Sequence, residues 1–306
     1  MNWNRRMFAK NTALSALSLM VLPRMSFEPK PNDPRLKISL AQWSLHRTIR
    51  SGALDHLDFA KVAKEEFGID AIEYVNQFFP DKATDPSYLK EMNLRAEDHG
   101  VKQLLIMIDG EGGLGEPDDD KRKQAVENHY KWVDAAKVLG CHSLRVNAYG
   151  ASSDRSAVSA AAVDGLGALC TYAAPLDINV IVENHGGFSS DGQWLSAVMK
   201  EINLPNCGTL PDFGNFCLEY GDDGCAREYN RYKGVEELMP FAKAVSAKSH
   251  AFDDDGFETN TDYKRMFDII RKSDYKGYIG IEYEGSQYSE NEGIQKTKAL
   301  MEQILF

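Results

Sequence analysis

Val180-Ile181-Val182-Glu183-Asn184-His185-Gly186-Gly187 places a carboxylate at the end of a short β-branched run and follows it with two glycines. Such a run, bounded by glycine, reads as a buried strand. A charge inside it is unfavourable unless it is paired or bound to a cation. The same arrangement returns downstream in Leu210-Pro211-Asp212-Phe213-Gly214-Asn215, in Val245-Ser246-Ala247-Lys248-Ser249-His250, and in Ile279-Gly280-Ile281-Glu282-Tyr283-Glu284-Gly285. Glu183, Asp212, His250 and Glu282 are separated by 29, 38 and 32 residues. A barrel of about 270 residues divided into eight strand–helix units gives roughly 34 residues per unit.

Working outward, eight short apolar segments read as strands: 38–43, 71–75, 103–108, 143–148, 179–184, 207–212, 245–250 and 278–283. Helical periodicity lies between them at 54–67, 121–139, 154–172, 193–202, 235–244, 263–270 and 291–304. Strand–helix alternation predicts a parallel sheet covered by helices, and eight units predict a single (β/α)8 TIM barrel. A doubly wound open sheet is the structural alternative. Helix-to-strand links are short, as at 68–70 and 100–102. Strand-to-helix links at 109–120, 185–192 and 213–233 are long and rich in Gly, Asp and Asn. That asymmetry marks the C-terminal ends of the strands as the functional face.

The four strand-end residues can then converge, because adjacent strands lie about 4.8 Å apart. Three carboxylates brought together repel one another unless a cation neutralises them. Three carboxylates and an imidazole suit one divalent ion among Mn²⁺, Zn²⁺, Co²⁺ and Mg²⁺, with Mn²⁺ or Zn²⁺ favoured. Without a thiolate, this is not a structural zinc site.

The segments ENHGG, PDFGN, AKSH and GIEYEG resemble those of the xylose-isomerase-like TIM-barrel superfamily of sugar phosphate isomerases and epimerases. The resemblance covers about residues 36–306. It implies metal ligation by Glu183, Asp212, His250 and Glu282. It also implies an isomerase or epimerase reaction that removes a proton alpha to a carbonyl and passes through an enediolate. Glu183 and Glu282 would be the acid–base pair, and Lys248 and His185 would stabilise the enediolate oxygen. Asn215, His46, Glu73, Arg145 and Asn147 are further candidates for contacting sugar hydroxyls, with Trp43, Phe78 and Phe79 as an apolar wall. Two positions depart from the family pattern. Ser246 begins the strand that in many relatives reads H-x-K-D, and Asn215 stands where relatives often carry a histidine three residues after the aspartate.

Residues 1–35 precede this domain. Asn4-Arg5-Arg6-Met7-Phe8-Ala9-Lys10, followed by a mostly apolar stretch over 13–22, resembles a twin-arginine export signal. Pro29, Pro31 and Pro34 follow as a linker. The stretch is shorter than the roughly 20 apolar residues that span a bilayer. A periplasmic or otherwise exported protein, without stable membrane insertion after signal removal, is therefore expected. Export directs the expected substrate towards free or glycosidic keto-sugars, because phosphorylated sugars are mainly cytoplasmic.

The chain has 306 residues, 43% of them hydrophobic and 26% charged, with net charge −11. That balance argues against a nucleic-acid partner, which calls for a basic stripe, and for a small-molecule carbohydrate. A homo-oligomer is compatible with it. Cys141, Cys170, Cys207, Cys217 and Cys225 are odd in number and lack CxxC spacing, so they read as small buried hydrophobes rather than a disulfide framework. Gly110-Glu111-Gly112-Gly113-Leu114-Gly115 matches G-x-G-x-x-G, but Glu116, Pro117 and three aspartates follow it instead of a phosphate-binding helix start. It reads as a flexible lid. The competing functions are a lyase or hydrolase of 3-keto-glycosides using the same proton abstraction, and a non-catalytic sugar-binding barrel. A relative of the AP-endonuclease branch is disfavoured by the acidic charge and the presence of only seven histidines.

Overall fold

The computed structural model describes residues 33–306 other than Asp223. The expected export signal and most of the expected linker lie outside the described residues. The described residues form one compact unit.

Eight parallel strands make the barrel: β1 (Leu36–Ala41), β2 (Ala71–Val75), β3 (Lys102–Met107), β4 (Ser143–Val146), β5 (Asn179–Glu183), β6 (Cys207–Leu210), β9 (Val245–Ser249) and β10 (Gly277–Tyr283). The two short strands between β6 and β9, β7 (Cys217–Gly221) and β8 (Gly224–Glu228), form a separate antiparallel hairpin. The barrel order is β6-β5-β4-β3-β2-β1-β10-β9. Two parallel bridges, Thr209 to Ala242 and Asp212 to Ser246, link β6 to β9 and nearly close the ring. The expected (β/α)8 barrel is the fold the chain adopts. Outside it, the short α1 (His46–Arg50) and then α2 (Phe59–Glu65), α3 (Pro86–Asp98), α4 (Asp119–Val138), α5 (Arg155–Ala173), α6 (Gly192–Ile202), α7 (Arg231–Leu238), α8 (Tyr263–Lys272) and α9 (Glu290–Leu305) follow their strands.

Aspartates in the strand-to-helix loops start many of these helices. Asp85, Asp118, Asp154, Asp191 and Asp262 accept hydrogen bonds from first-turn N–H groups of α3, α4, α5, α6 and α8. This satisfies donors that a helix leaves unpaired. The interval between β2 and β3, for which the sequence suggests no helix, holds α3. Its buried positions, Leu89, Met92 and Ala96, form only a sparse apolar stripe. Arg155–Leu176 is long and apolar enough to resemble a membrane span. Its apolarity has a local cause, since Val158, Ala162, Leu166 and Leu169 are buried in the core between barrel and helices.

Inside the barrel a second, smaller core joins Ala41, Val75, Leu105, Met107, Ile181, Leu210 and Ala244. These alternate positions set the inward parity of each strand. On the same parity β1 and β2 contribute Ser39 and Glu73, whose side chains hydrogen-bond at 2.6 Å. Gly280 of β10 makes room for this pair, because a Cβ there would lie 2.6 Å from a Glu73 oxygen. The other Glu73 oxygen is buried without a partner. Burial, opposed by the Ser39 hydrogen bond and reinforced by Glu183, pushes the Glu73 pKa up to about 7.

The folded state therefore holds this proton more tightly than the unfolded chain. The stabilisation is full below the ordinary carboxyl pKa and is lost as pH rises through about 7. Glu73→Gln, which keeps the shape but cannot ionise, is expected to be increasingly more stable than the parent between pH 5 and pH 8. The gap should grow by an amount on the order of 3 kcal/mol. Urea unfolding at several pH values measures it, and a gap that does not change with pH would contradict the assignment.

Candidate active site

The polar end of the interior lies where the strands terminate. Glu183 is the last residue of β5, Asp212 follows β6, and Glu282 lies near the end of β10. All three are buried, and one oxygen from each lies within 4.8 Å of the others. Asn184 sets this spacing. It accepts the Asp212 N–H at 2.8 Å and donates to the carbonyls of Asp212 and Asn215, tying the end of β5 to the turn after β6.

Two cations enter the acidic cluster. Arg145 of β4 pairs with Glu183 and, at 2.9 Å, with Asp109. The Lys248 ammonium of β9 lies 2.7 Å from Glu282 and 2.7 Å from Glu284. Neutral donors complete the set. Asn215 donates to Glu183 at 2.8 Å, Ser246 to Asp212 at 2.6 Å, and Asn147 to Asp109 at 2.7 Å. The Trp43 indole N–H donates to Glu284. Asp212 also accepts the backbone N–H groups of Gly214 and Asn215.

Protonation follows from this packing. Burial pushes Asp212 up to about 6, against the pull of Lys248. Burial also acts most strongly on Glu282; Lys248 opposes it, but Glu183, Glu284 and Asp212 add to it, and the carboxyl rises to about 8. For Glu284 burial is outweighed by the Lys248 ammonium and the Trp43 donor, which hold it down to about 2. Burial disfavours the Lys248 charge, yet the surrounding carboxylates raise its pKa well above the ordinary lysine value. His185 follows the end of β5, beside Glu183. Desolvation and the Arg145 guanidinium lower its pKa, so it favours the neutral imidazole.

Several expected site residues fall elsewhere. His250 does not join the triad of ligand atoms. It shares the inward parity of Ser246 and Lys248 but lies beyond the end of β9, and the positions facing Asp212 and Glu282 belong to those two residues. The donors around the triad are therefore oxygens, without an imidazole. Glu73 sits in the interior against Ser39 and Gly280, within reach of the Glu183 charge. His46 stacks on Trp43 with ring centroids 4.9 Å apart and hydrogen-bonds the Trp43 carbonyl, so it supports the indole. Phe78 packs with Trp43 on the inner core, but Phe79 belongs to the outer layer, edge-on to Trp132. Sequence reasoning missed Asp109 and Ser246; the inward parity of β3 and β9 is the signal that could have found them.

Two rim features also differ from expectation. The glycine-rich segment is a packed loop rather than a flexible lid. Leu114 is fully buried, the Gly115 N–H donates to the Tyr149 carbonyl at 2.9 Å, and a Cβ on Gly150 would lie 2.0 Å from the Gly115 carbonyl oxygen. In the long link after Asp212, the hairpin of β7 and β8 is clasped by a Cys217–Cys225 disulfide, against the expectation of free cysteines. Cys141 and Cys170 are buried, as expected of small hydrophobes, and Cys207 is half-buried.

A barrel with an acidic centre at the C-terminal ends of its strands defines the class of protein. The chain belongs to the xylose isomerase-like TIM barrel family, which it matches over residues 59–304. Three solved structures illustrate the likeness. A xylose isomerase domain protein from Planctomyces limnophilus is 16% identical with TM-score 0.64, covering 90% of this chain and 97% of its own. A 3-keto-D-glucoside 4-epimerase from E. coli is 14% identical with TM-score 0.64, covering 88% and 98%. A xylose isomerase-like TIM barrel protein from Mycobacterium smegmatis, in complex with magnesium, is 15% identical with TM-score 0.63, covering 90% and 97%. At these identities the likeness establishes the fold. No curated protein matches the chain by sequence.

Lys248 has two buried or half-buried carboxylate partners, and removing it strands both. Lys248→Met is expected to destabilise the fold by about 3–5 kcal/mol. Guanidinium unfolding at pH 7 checks this, and a loss below about 1 kcal/mol, as for an exposed pair, would contradict it.

Proposed function

We propose that this protein is a metal-dependent isomerase or epimerase of keto-sugars. The observation that carries the proposal is the convergence of Glu183, Asp212 and Glu282, buried at the strand ends with oxygens within 4.8 Å. The donor chemistry fits a divalent ion. Asp109, Glu183, Asp212, Glu282 and Glu284 outnumber the cations Arg145 and Lys248, so in its ionised form the cluster carries surplus negative charge. An oxygen-only set favours a hard cation such as Mg²⁺ or Mn²⁺ over Zn²⁺, which prefers nitrogen and sulfur ligands. Bound there, the ion would act as a Lewis acid towards a carbonyl and its neighbouring hydroxyl.

The chain's own residues supply the rest. Glu183 and Glu282 are assigned to remove the proton alpha to the carbonyl and to return it. Arg145 and Lys248 place fixed positive charge beside the developing enediolate oxygen. His185 and Asn215 offer neutral polar groups at the mouth for sugar hydroxyls. Glu183→Gln and Glu282→Gln are each expected to reduce turnover of a keto-sugar by about 10²–10⁴-fold with an unchanged circular dichroism spectrum. Near-parental turnover in either would remove the acid–base assignment. Metal analysis of the purified protein should find close to one divalent ion per chain, and protein free of bound metal at full activity would remove the metal from the proposal.

Export through the twin-arginine route belongs to the same proposal, supported by Arg5-Arg6 and by a disulfide of the kind that persists in oxidising compartments. Replacing both arginines by lysine is expected to retain the protein in the cytoplasm, as measured by cell fractionation. Unaltered partitioning would argue for another route.

A further inference from the structure

Beside the acidic centre is a groove of about 300 Å³. It is lined by the stretches that follow site residues on three successive strands. Tyr149 comes two residues after Asn147, Gly186–Ser189 follow His185, and Leu218, Glu219 and Arg227 belong to the hairpin that follows Asn215. This continuity places the groove next to whatever occupies the centre. Its volume is at the lower end for small-ligand sites, which begin at roughly 300 Å³.

The lining is aromatic, polar and charge-balanced. Tyr149 is 52% exposed but anchored. Its carbonyl accepts from Gly115, and its ring packs on Gly113, where a Cβ would come within 3.2 Å of a ring carbon. An exposed ring held from behind presents a preorganised apolar face. Arg155 lies over the Phe188 ring at 5.5 Å and pairs with Asp191 at 2.7 Å. Arg227 pairs with Glu219. Both guanidinium groups are therefore already neutralised, so the groove offers planar hydrogen-bonding groups without free positive charge. That chemistry fits a neutral polyhydroxylated ring and not a phosphate.

We propose that this groove is a second sugar subsite, holding the neighbouring neutral sugar of a glycoside whose keto-sugar lies at the acidic centre. The proposal rests on the reading of the centre given above and narrows the substrate class from keto-monosaccharides to keto-glycosides. The test compares the 3-keto derivatives of cellobiose and of methyl β-glucoside on the full protein. The parent should prefer the disaccharide in kcat/KM. Tyr149→Ala should lose at least tenfold more kcat/KM on the disaccharide than on the methyl glucoside, and Tyr149→Phe, which keeps the ring, should restore the preference. Equal losses on both substrates, or no loss on either, would overturn the subsite.

If neither compound is turned over, the reading of the centre fails, and the groove is judged by binding alone. Saturation-transfer NMR with unmodified cellobiose should then show contact to both rings in the parent and in Tyr149→Phe. In Tyr149→Ala it should show loss of contact to one ring. Absence of cellobiose binding, indifference to Tyr149→Ala, or displacement of cellobiose by inorganic phosphate would each overturn the subsite.

Discussion

The structure depends on how a surplus of carboxylates is kept inside a barrel. Glu183, Asp212 and Glu282 arrive on separate strands and are buried together. Isolated charges at such depth are strongly disfavoured, so the arrangement persists only through its partners. Arg145 and Lys248 come from β4 and β9, on either side of the β5–β6 pair, and each engages two carboxylates. Their long apolar stems occupy inward positions that Leu or Val would fill elsewhere in the barrel. The polar end of the interior is thus built from the same alternation that builds the apolar end, with cations taking the place of core side chains.

This explains why the acidic centre was legible in the sequence while its surroundings were only partly so. A carboxylate closing an apolar strand is a local anomaly, and its recurrence at about one strand–helix interval converts it into a spatial statement. Strand parity says which face a residue occupies but not how far along the barrel it sits. Glu73 and His250 both have the inward parity, yet one lies in the interior beside Ser39 and the other beyond the end of β9. Ser246 carries no charge and announces nothing by itself. It is recognisable only once the register of β9 against β10, which pairs Ser246 with Gly280 and Lys248 with Glu282, is known.

The rim shows a different limit. The hairpin of β7 and β8 is largely exposed, so it needs no alternating apolar face, and periodicity is silent there. Its order comes instead from a disulfide between two of five cysteines, a pairing that an odd count conceals. The glycines at 110–115 misled for the opposite reason. Glycine permits flexibility, but it also permits backbones to approach more closely than any side chain allows, and the contacts of Gly113, Gly115 and Gly150 are of the second kind.

Together these features make the mouth of the barrel stiff before any ligand arrives. Arg145 and Lys248 are each held between two carboxylates, the Tyr149 loop is packed against the glycine segment, and the hairpin is covalently closed. A preorganised site gains by avoiding reorganisation when charge develops, but the carboxylates in it are already hydrogen-bonded. Glu282 is shared between Lys248 and Ser246, so a cation drawn to the triad competes with Lys248 for that carboxylate. Binding at the centre and the placement of the ammonium are then linked, and each must alter the other by the same free energy. The hydroxyl of Ser246, bonded to Asp212, sharpens that link. A neutral nitrogen ligand would hold a metal without drawing on the carboxylates, whereas a hydroxyl bonded to Asp212 would leave the carboxylates to balance any bound ion and the lysine together.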